Sequence, residues 1–393
     1  MEACPRSSAA ELAAAVKSIA RACGAAAVRI ADAGADAGTR ARLRAAVARG
    51  DVATWPYDDA YADAASDPAA LLAGARSVVC IAVPYATPAP RERRGRGRVS
   101  AYAWSADYHR RMQSLLREIA AGIEALAARD APGVPPLTRV VCDTAPLAER
   151  AFAARAGLGW VGKHTSLIVK GLGSAVFLGE IVTTLALEPD VPLRTSCGGC
   201  TRCVDVCPTG ALRGDYTLDA TRCISDLTQR RDAIPRALRP LTGTWVWGCD
   251  LCNDACPPSA QAGPVGGDVF APLDDDLAAP DLHELLRLRG AAFARVRSTA
   301  MGWRGAPVLR RNAAVALGNG LDRADVPALA EALHGDPSPL VRGHAAWALG
   351  RIASPQAYAA LRAAAARETD PAVHEEVTAA LEPIEPVAAF NLA

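Results

Sequence analysis

Hydrophobic and polar positions follow two different periods over residues 1–185. Apolar residues recur every three or four positions in SAAELAAAVKSIARACG (residues 8–24) and in YHRRMQSLLREIAAGIEALAARD (residues 108–130), which predicts amphipathic helices. Four short runs rich in Val, Ile and Leu instead predict strands. These runs are residues 77–85, 138–143, 165–169 and 175–182. Residues 1–185 are therefore expected to form an α/β domain.

The pattern becomes helical after the Pro- and Gly-rich joint at residues 257–269, and it repeats. Leu317 recurs as Leu349 and Leu381 at intervals of 32 residues, and a glycine follows the first two. Helix pairs with a fixed period of this length are typical of an α-solenoid of the HEAT type. Such a solenoid presents an extended binding surface, although the repeat does not identify the partner.

The segment AGLGWVGKHTSL (residues 156–167) matches two nucleotide-binding patterns in part. Gly157, Gly159 and Gly162 fit the dinucleotide pattern, and Lys163 stands where a phosphate-binding loop has its lysine. Both patterns need a strand before the loop and a helix after it, because the helix N-terminus binds the phosphate. Here a predicted helix precedes the loop and a predicted strand follows it. A nucleotide site is therefore disfavoured, and the role of Lys163 stays open.

Composition and charge narrow the class of protein. Hydrophobic residues make up 51% of the chain, which is ample for packed cores, and 43 basic residues nearly balance 42 acidic ones. A polyanion would therefore have to bind to a local basic patch. The N-terminus has no basic segment before an apolar core, and no apolar run is long enough to span a bilayer. We expect a soluble, cytoplasmic protein without membrane contact.

The twelve cysteines are unevenly distributed along the chain. Four are scattered, and we expect them to be buried or incidental thiols. These four are Cys4, Cys23, Cys80 and Cys142. The other eight crowd into residues 197–256, which in a chain that is not secreted indicates metal binding rather than disulfides.

The spacing of these eight cysteines is that of iron-sulfur proteins. Residues 197–208 read C-x2-C-x2-C-x3-C-P, and residues 249–257 keep C-x2-C-x3-C-P with Cys223 as an upstream ligand. By the crossed ligation of two-cluster ferredoxins, we expect two 4Fe-4S clusters. One would be held by Cys197, Cys200, Cys203 and Cys256, and the other by Cys207, Cys223, Cys249 and Cys252. Structural zinc is the alternative, but zinc sites usually use two C-x2-C pairs.

Five segments together resemble the epoxyqueuosine reductases: CDTAPLAERAFAARAGLGWVGKHTSLI, CGGCTRCVDVCPTGAL, RCISDLT, GCDLCNDACP and RGAPVLRRNAAVALGN. They occur in the order of that family. The resemblance implies an oxidoreductase that converts epoxyqueuosine to queuosine at the wobble position of tRNA, the last step of queuosine biosynthesis. It also implies cobalamin and two 4Fe-4S clusters as cofactors.

The patterns and the resemblance together predict three domains. An α/β N-terminal cobalamin-binding catalytic domain is expected at residues 1–185. A ferredoxin-like double 4Fe-4S insert is expected at residues 186–262, and a C-terminal α-solenoid of HEAT-like repeats with a tRNA-binding role at residues 263–393.

The resemblance implies that Asp143, in the segment DTAP, is a proton donor beside the cobalamin. An opened epoxide leaves an alkoxide that needs a proton, and a carboxyl near an apolar corrin is expected to have a raised pKa. The alternative is that Asp143 caps the helix that begins near PLAER, since Asp is a favoured N-cap. His109 is expected to pack at the start of a helix, with cobalt ligation as its alternative.

The resemblance places further residues around the cobalamin. The glycines of residues 156–167 would let the backbone pass close to the macrocycle, and the chain has no D-x-H-x-x-G motif to supply a histidine ligand. The implied cobalamin contacts are Ser100, Tyr108, Asp143, Leu167, Leu178, Ser225 and Asp250. Ala101 and Pro258 depart from residues common in the family, which concerns substrate details more than the cofactors.

Residues 287–311 contain seven arginines and no acidic residue. A patch of one sign suits phosphate binding in an otherwise neutral protein, although arginines on helices are often only solvated. The residues predicted to bind tRNA are Arg231, Arg295, Arg297, Arg304, Arg310 and Arg311. Because the target base must leave its stack to react, we expect a single-stranded anticodon loop as the partner.

Electrons must reach the clusters from outside, so we expect an external flavodoxin- or ferredoxin-like donor, and we expect a monomer. Two other functions stay open at this point. A reductive dehalogenase-like corrinoid enzyme would act on a small substrate, which needs no solenoid. A two-cluster electron carrier, with repeats that dock a partner protein, would bind no cobalamin.

Overall fold

The structure is a computed structural model of the chain and describes residues 7–85, 93–130, 136–262, 270–273 and 275–382. Cys4 and residue 263, the predicted start of the third domain, lie outside the described residues. None of the helices described is both long enough and apolar enough to cross a membrane.

The α-helices follow one another along the whole chain. They are α1 (Ala9–Ala22), α2 (Ala37–Ala48), α3 (Asp59–Ala65), α4 (Tyr108–Asp130), α5 (Glu149–Arg155), α6 (Arg202–Asp205), α7 (Ile224–Gln229), α8 (Leu251–Asp254), α9 (Pro257–Ala262), α10 (Asp275–Ala278), α11 (Leu282–Leu286), α12 (Gly290–Val296), α13 (Ala306–Gly320), α14 (Val326–Gly335), α15 (Pro339–Ile352), α16 (Pro355–Ala365) and α17 (Pro371–Leu381).

The strands lie mostly in the N-terminal half. They are β1 (Ala27–Asp32), β2 (Ser77–Pro84), β3 (Arg98–Val99), β4 (Thr138–Val141), β5 (Gly159–Val161), β6 (Leu167–Val169), β7 (Val176–Thr183) and β8 (Trp245–Trp247). One sheet has the order β1-β2-β7-β4, and each neighbouring pair is antiparallel. The pairs β5-β6 and β3-β8 form two small sheets.

The chain divides into two compact units that interleave in sequence. The first unit comprises Met1–Pro88, Asp107–Thr221 and Asp250–Ala271. The second comprises Ala89–Ala106, Arg222–Cys249 and Pro272–Ala393. The predicted division into three domains stays a prediction.

The four-stranded sheet of the first unit is covered by helices on both faces. Neighbouring residues of a strand point to opposite faces, so Gly179 and Glu180 of β7 face different layers. A side chain at Gly179 would meet Leu116 and Met112 of α4 at 3.0–3.1 Å, which shows how closely α4 approaches the strand. On the other face, α5 packs on β1, β2 and β7. This packing places the loop between β4 and α5 at the edge of the core.

The second unit contains the predicted repeat. Helices α13, α15 and α17 stack side by side, while α14 and α16 form the second helix of each pair. A Cβ at Gly318 would lie 2.7 Å from the Cβ of Ala348, and one at Gly350 would lie 2.8 Å from the Cβ of Ala380. The glycine of each repeat therefore permits the close approach of successive helices.

The elements predicted within residues 1–185 are found, and the structure adds four strands that had no prediction, β1, β3, β5 and β8. The predicted helices at residues 8–24 and 108–130 are α1 and α4, and the predicted strands correspond to β2, β4, β6 and β7. Strand β1, with the sequence AVRIAD, had no strand prediction. Its six residues come soon after a helix, and they do not alternate clearly between apolar and polar. The antiparallel order of the sheet also was not expected from the sequence.

Candidate active site

Four cysteines of the first unit interact with one another. Cys203 lies on α6, and Cys256 immediately precedes α9. Burial, followed by the charges of Cys197 and Cys256, raises the pKa of the Cys203 thiol. Burial and the charges of Cys197 and Cys200 likewise raise the pKa of Cys256, against hydrogen bonds that lower it. The four thiols predicted to bind the first cluster therefore lie within electrostatic range, which fits a shared 4Fe-4S cluster.

The cysteines predicted for the second cluster are divided between the units. Cys207 and Cys252 belong to the first unit, and the Cys207 sulfur lies 3.5 Å from Thr209 Oγ1. Cys223 and Cys249 belong to the second unit, where Cys223 is the N-cap of α7. The assignment of these four cysteines to one cluster stays a prediction.

No group of three or more His, Cys, Asp or Glu side chains within the described ranges is arranged around a single metal ion. The thiolates of a 4Fe-4S cluster bind different iron atoms, so they need not converge on one point.

Asp143 lies two residues beyond the end of β4, in the loop that leads to α5. Its Oδ2 accepts a hydrogen bond of 2.8 Å from the Tyr108 hydroxyl and lies 3.6 Å from His109 Nε2. The ring of Tyr108 stacks between those of Phe177 and His109, at centroid distances of 4.2 and 4.1 Å. These contacts fix two donors beside one carboxyl, which is an arrangement suited to moving protons.

The charge state of Asp143 differs from the expected one. Desolvation acts to raise its pKa, but hydrogen bonds from His109 and Tyr108 outweigh it, so the pKa of Asp143 lies below its ordinary value. The side chain is 66% exposed, so a bound group could reach the carboxyl from its open side. The expected raised pKa is thus corrected to a lowered one in the structure, because two donors hold the carboxylate form.

His109 is the basic residue that faces this carboxylate. Desolvation lowers its pKa, but hydrogen bonds to Asp143 and Asp107 outweigh that effect, and the net pKa of His109 is raised. Its Nδ1 lies 2.7 Å from Asp107 Oδ1. Its ring also packs on Tyr108, as expected for a histidine near the start of a helix.

Asp143 is not the N-cap of α5. The helix begins at Glu149, and its N-cap is Ala148. The Asp143 amide instead donates to Glu149 Oε1 at 2.6 Å, and Asp143 has a positive φ of 56°. An aspartate tolerates this left-handed conformation better than most residues do, but it still needs support from its surroundings.

Sequence reasoning missed two carboxyl groups behind this loop. Glu180 of β7 is fully buried, and Glu149 is half-buried at the start of α5. Glu180 lies directly across the sheet from Val141, two residues before Asp143. A signal was present in the sequence, because Glu180 is the only charged residue in the apolar run AVFLGEIV.

The glycine-rich segment forms a turn from a helix into a hairpin. Helix α5 precedes it, and β5 pairs with β6 after it, so the order is the reverse of a nucleotide loop. Gly157 has a φ of 74°, and a Cβ there would lie 2.3 Å from the Val191 carbonyl oxygen. Lys163 donates to the Gly198 carbonyl at 2.9 Å. This lysine therefore fastens the loop between Cys197 and Cys200, a structural role that the sequence left open.

Comparisons with known proteins identify the family. The family model described as epoxyqueuosine reductase QueG matches residues 66–144, a 4Fe-4S double cluster binding domain matches residues 196–259, and HEAT repeats match residues 304–382. The epoxyqueuosine reductase of Bacillus cereus is 36% identical over 81% of this chain and 83% of its own length. The chain belongs to the epoxyqueuosine reductase family.

Solved structures of the family support this membership. A crystal structure of a selenomethionine-labelled epoxyqueuosine reductase has a TM-score of 0.87 at 32% identity and covers 94% of this chain and 98% of its own. Another, with an epoxyqueuosine-modified tRNA-Tyr stem loop, has a TM-score of 0.85 at the same identity and the same coverage. The predicted combination of an N-terminal α/β region, a ferredoxin-like 4Fe-4S segment and a HEAT-like solenoid is thereby confirmed.

The residues that the resemblance implied as cobalamin contacts differ in exposure. Leu167 is 2% exposed and packs in the hydrophobic core, and its contact with a cobalamin stays a prediction. Leu178 is partly buried beside the same core. Ser100 is 2% exposed in the second unit, where its amide donates to the Trp247 carbonyl.

The remaining implied contacts are also placed by local structure. Tyr108 is buried beside Asp143, as described above. Ser225 lies in α7 and accepts a hydrogen bond of 3.0 Å from Gln229 Nε2. Asp250 is 9% exposed and precedes α8. Among these residues, Tyr108 contacts Asp143 directly, and Leu167 and Leu178 belong to one hydrophobic cluster.

The arginines predicted to bind tRNA fall into two groups. Arg310 is buried and forms two hydrogen bonds with the Asp336 carboxylate, at 2.8 and 3.0 Å. Arg311 is 0% exposed and donates to the carbonyls of Asp232 and Leu227. The tRNA prediction for these two arginines is corrected, because their guanidinium groups are enclosed and bonded within the second unit.

The other four arginines of the prediction are accessible. Arg231, Arg295 and Arg297 are exposed, while Arg304 is half-buried. Arg304 lies 3.6 Å from the ring centroid of Trp303, which is 50% exposed. The charge of Arg231 contributes to lowering the pKa of Arg304, after desolvation, so these two cations lie near each other.

Proposed function

We propose that this chain reduces epoxyqueuosine to queuosine in tRNA, with Asp143, His109 and Tyr108 handling the protons. Queuosine lacks the epoxide oxygen, so two C–O bonds break, a C=C bond forms and the oxygen leaves as water. The balance requires two electrons and two protons. The observation that carries the proposal is the open Asp143 carboxyl, bonded by the Tyr108 hydroxyl and with His109 Nε2 3.6 Å away, in a member of the epoxyqueuosine reductase family.

The electrons are proposed to arrive through two 4Fe-4S clusters and a cobalamin. The mutual interaction of Cys197, Cys200, Cys203 and Cys256 supports the first cluster. We propose that the cobalamin binds next to the exposed Asp143 carboxyl and Tyr108 in the first unit, where the acid can reach the substrate. When bound, cobalamin supplies a low-valent metal that can deliver electrons to an epoxide carbon.

The protons are handled by residues on α4 and on the loop after β4. His109 is positively charged below its raised pKa and holds a proton at Nε2, facing Asp143 Oδ2. Asp143 relays this proton to the oxygen of the opened epoxide, and Tyr108 keeps the carboxylate oriented through its hydroxyl. A second proton through the same route completes the water molecule.

The tRNA is proposed to contact exposed arginines of the second unit. Arg231, Arg295 and Arg297 are exposed and Arg304 is half-buried, so their positive charge is accessible from solvent, whereas the guanidinium of Arg310 is enclosed by its contacts with Asp336. The tRNA stem loop in the structure of a relative supports an anticodon loop as the substrate. The base would be read as single-stranded RNA.

The source of electrons and the setting complete the proposal. A flavodoxin- or ferredoxin-like protein outside this chain is proposed to reduce the clusters, because the reaction consumes two electrons in each turnover. We also propose that the protein acts in the cytoplasm as a monomer.

Deleting the gene in a strain that makes epoxyqueuosine tests this function directly. We expect epoxyqueuosine to accumulate in tRNA and queuosine to disappear, and a plasmid copy should restore queuosine, as measured by mass spectrometry of tRNA nucleosides. Unchanged queuosine in the deletion strain would count against the proposal. A reductive dehalogenase-like enzyme or a simple electron carrier predicts this unchanged result.

A further inference from the structure

The buried Glu180 carboxyl interacts with the half-buried Glu149 carboxyl, and no cation among the described residues pairs with Glu180. Neither oxygen of Glu180 accepts a hydrogen bond from an N–H or O–H group of the described residues, and the group that it meets is the Glu149 carboxyl. Two neighbouring carboxylates repel each other strongly, and burial adds the cost of lost hydration for the charge on Glu180. A single proton placed between them converts this repulsion into a strong hydrogen bond.

We infer that Glu149 and Glu180 share one proton, carried by Glu180, and that the resulting pair is a positioning device that holds the Asp143 loop. The inference rests on the proposed function for the role of Asp143, but the shared proton itself does not. The two residues touch neither substrate nor cofactor in this account.

The hydrogen bonds assign the proton to Glu180. Glu149 accepts the Asp143 amide at 2.6 Å and lies near the positive charge of Arg150, and both favour its carboxylate. Glu180 has no such donor, so its acid form can donate to Glu149. Burial, followed by the charge of Glu149, raises the pKa of Glu180 well above its ordinary value. Burial raises the pKa of Glu149 to about 7 against these favourable contacts.

The other ionisable groups around the pair do not supply a positive charge that could neutralise Glu180 in place of the proton. Glu180 faces the buried thiols of Cys80 and Cys142, whose pKa values are raised mainly by burial, so both stay neutral. Asp143 adds a further negative charge to both glutamates. Burial, and to a smaller extent the charge of Glu149, raises the pKa values of the Tyr57 and Tyr61 hydroxyls. Both tyrosines are therefore neutral. Arg150 is the cation among these neighbours, and it acts on Glu149.

The pair acts on Asp143 through the backbone. Asp143 adopts a φ of 56°, in the left-handed region, which costs conformational energy for a residue other than glycine. This conformation therefore needs a contact that stabilises it. The Glu149 carboxylate supplies that contact by accepting the Asp143 amide, and Glu180 fixes Glu149 from the core side. The Asp143 carboxyl is thus kept beside Tyr108 and His109.

The shared proton predicts how stability depends on pH. The unfolded chain releases these protons near pH 4.5, whereas in the folded chain Glu149 has a pKa of about 7 and Glu180 a higher one. The folded state therefore holds more protons above about pH 4.5, and stability falls as the pH rises through 7. Replacing Glu180 with Gln removes the repulsion, because the amide donates to Glu149 at every pH.

The first test needs no substrate. Infrared spectra of the cofactor-loaded protein at pH 8, where Glu149 is mostly ionised, should show the carbonyl band of a buried protonated carboxyl that shifts in D2O, and Glu180→Gln should remove it. The melting temperature of the wild type should fall between pH 5 and pH 9, and the fall should be smaller in Glu180→Gln. The exposed Glu188→Gln serves as the matched control and should keep both properties. An unchanged band in Glu180→Gln would overturn the shared proton.

The second test connects the pair to Asp143. Glu149→Ala and Glu180→Ala should lower the single-turnover rate at least tenfold while the absorbance of the clusters and cobalamin is retained. Glu180→Gln should regain most of the rate lost in Glu180→Ala, since its amide still donates to Glu149. Full activity of Glu149→Ala would overturn the positioning role. A wild type that binds both cofactors but never forms queuosine would contradict the proposed function and leave the infrared test to decide the proton.

Discussion

At the scale of single residues, the surroundings shift the pKa values of Asp143 and Glu180 in opposite directions. Asp143 is held as a carboxylate by Tyr108 and His109, whereas Glu180 lies where an isolated charge would be costly. The proton source proposed for an opened epoxide is therefore His109, which lies next to the group that was expected to carry the proton. The sequence could identify Asp143 by its motif, but it could not predict the pKa, which depends on neighbours 35 residues away.

The charge of His109 predicts the pH dependence of the reaction. His109 has a raised pKa, so its protonated form predominates below that pKa and is lost as the pH rises through it. The single-turnover rate should fall on the alkaline side, and His109→Gln should be at least tenfold slower and lack this fall. The exposed His334→Gln is the control and should keep the wild-type profile. A pH profile of His109→Gln that matches the wild type would contradict the role of His109.

At the scale of elements, the solenoid was the most predictable part of the chain. The 32-residue period identified both the helices and the glycines at which they approach. The sheet was harder to predict, because β1 lacks alternation and because strand order depends on contacts between residues far apart, such as Ile30 with Val79. Arg310 and Arg311 looked like surface charge in the sequence, but only the fold shows that carbonyls and Asp336 enclose them.

The close approach at Gly318 predicts a stability difference within one helix. Gly318→Ala places a Cβ 2.7 Å from that of Ala348 and should reduce the free energy of unfolding by about 1–3 kcal/mol, the typical cost of overpacking. Gly320→Ala, in the same helix, meets nothing within 4 Å and should be neutral or stabilising by up to about 1 kcal/mol. Chemical unfolding of the two variants measures the difference. Equal stabilities would contradict the close packing of α13 on α15.

At the scale of the whole molecule, a nearly neutral protein has to bind a polyanion through local charge. The chain has a net charge of +1, so we expect binding to depend on a few arginines and on salt. Arg297→Ala and Arg231→Ala should each weaken tRNA binding. Each should also reduce the slope of log affinity against log salt concentration by about the amount that corresponds to one phosphate contact. Arg310→Ala should instead lower stability, because it leaves the buried Asp336 carboxylate without its main partner. Equal tRNA affinity in the wild type and in Arg297→Ala would count against the proposed surface.

The most direct measurement of the central claim is the conversion of epoxyqueuosine in purified tRNA by the reduced, cofactor-loaded protein without oxygen. Mass spectrometry of the nucleosides should show queuosine with the wild type and with the control Asp215→Asn, whose side chain bonds only its own turn at Thr217. Asp143→Asn should bind clusters and cobalamin normally but react at least 100-fold more slowly. Queuosine formed at the wild-type rate by Asp143→Asn would contradict the account.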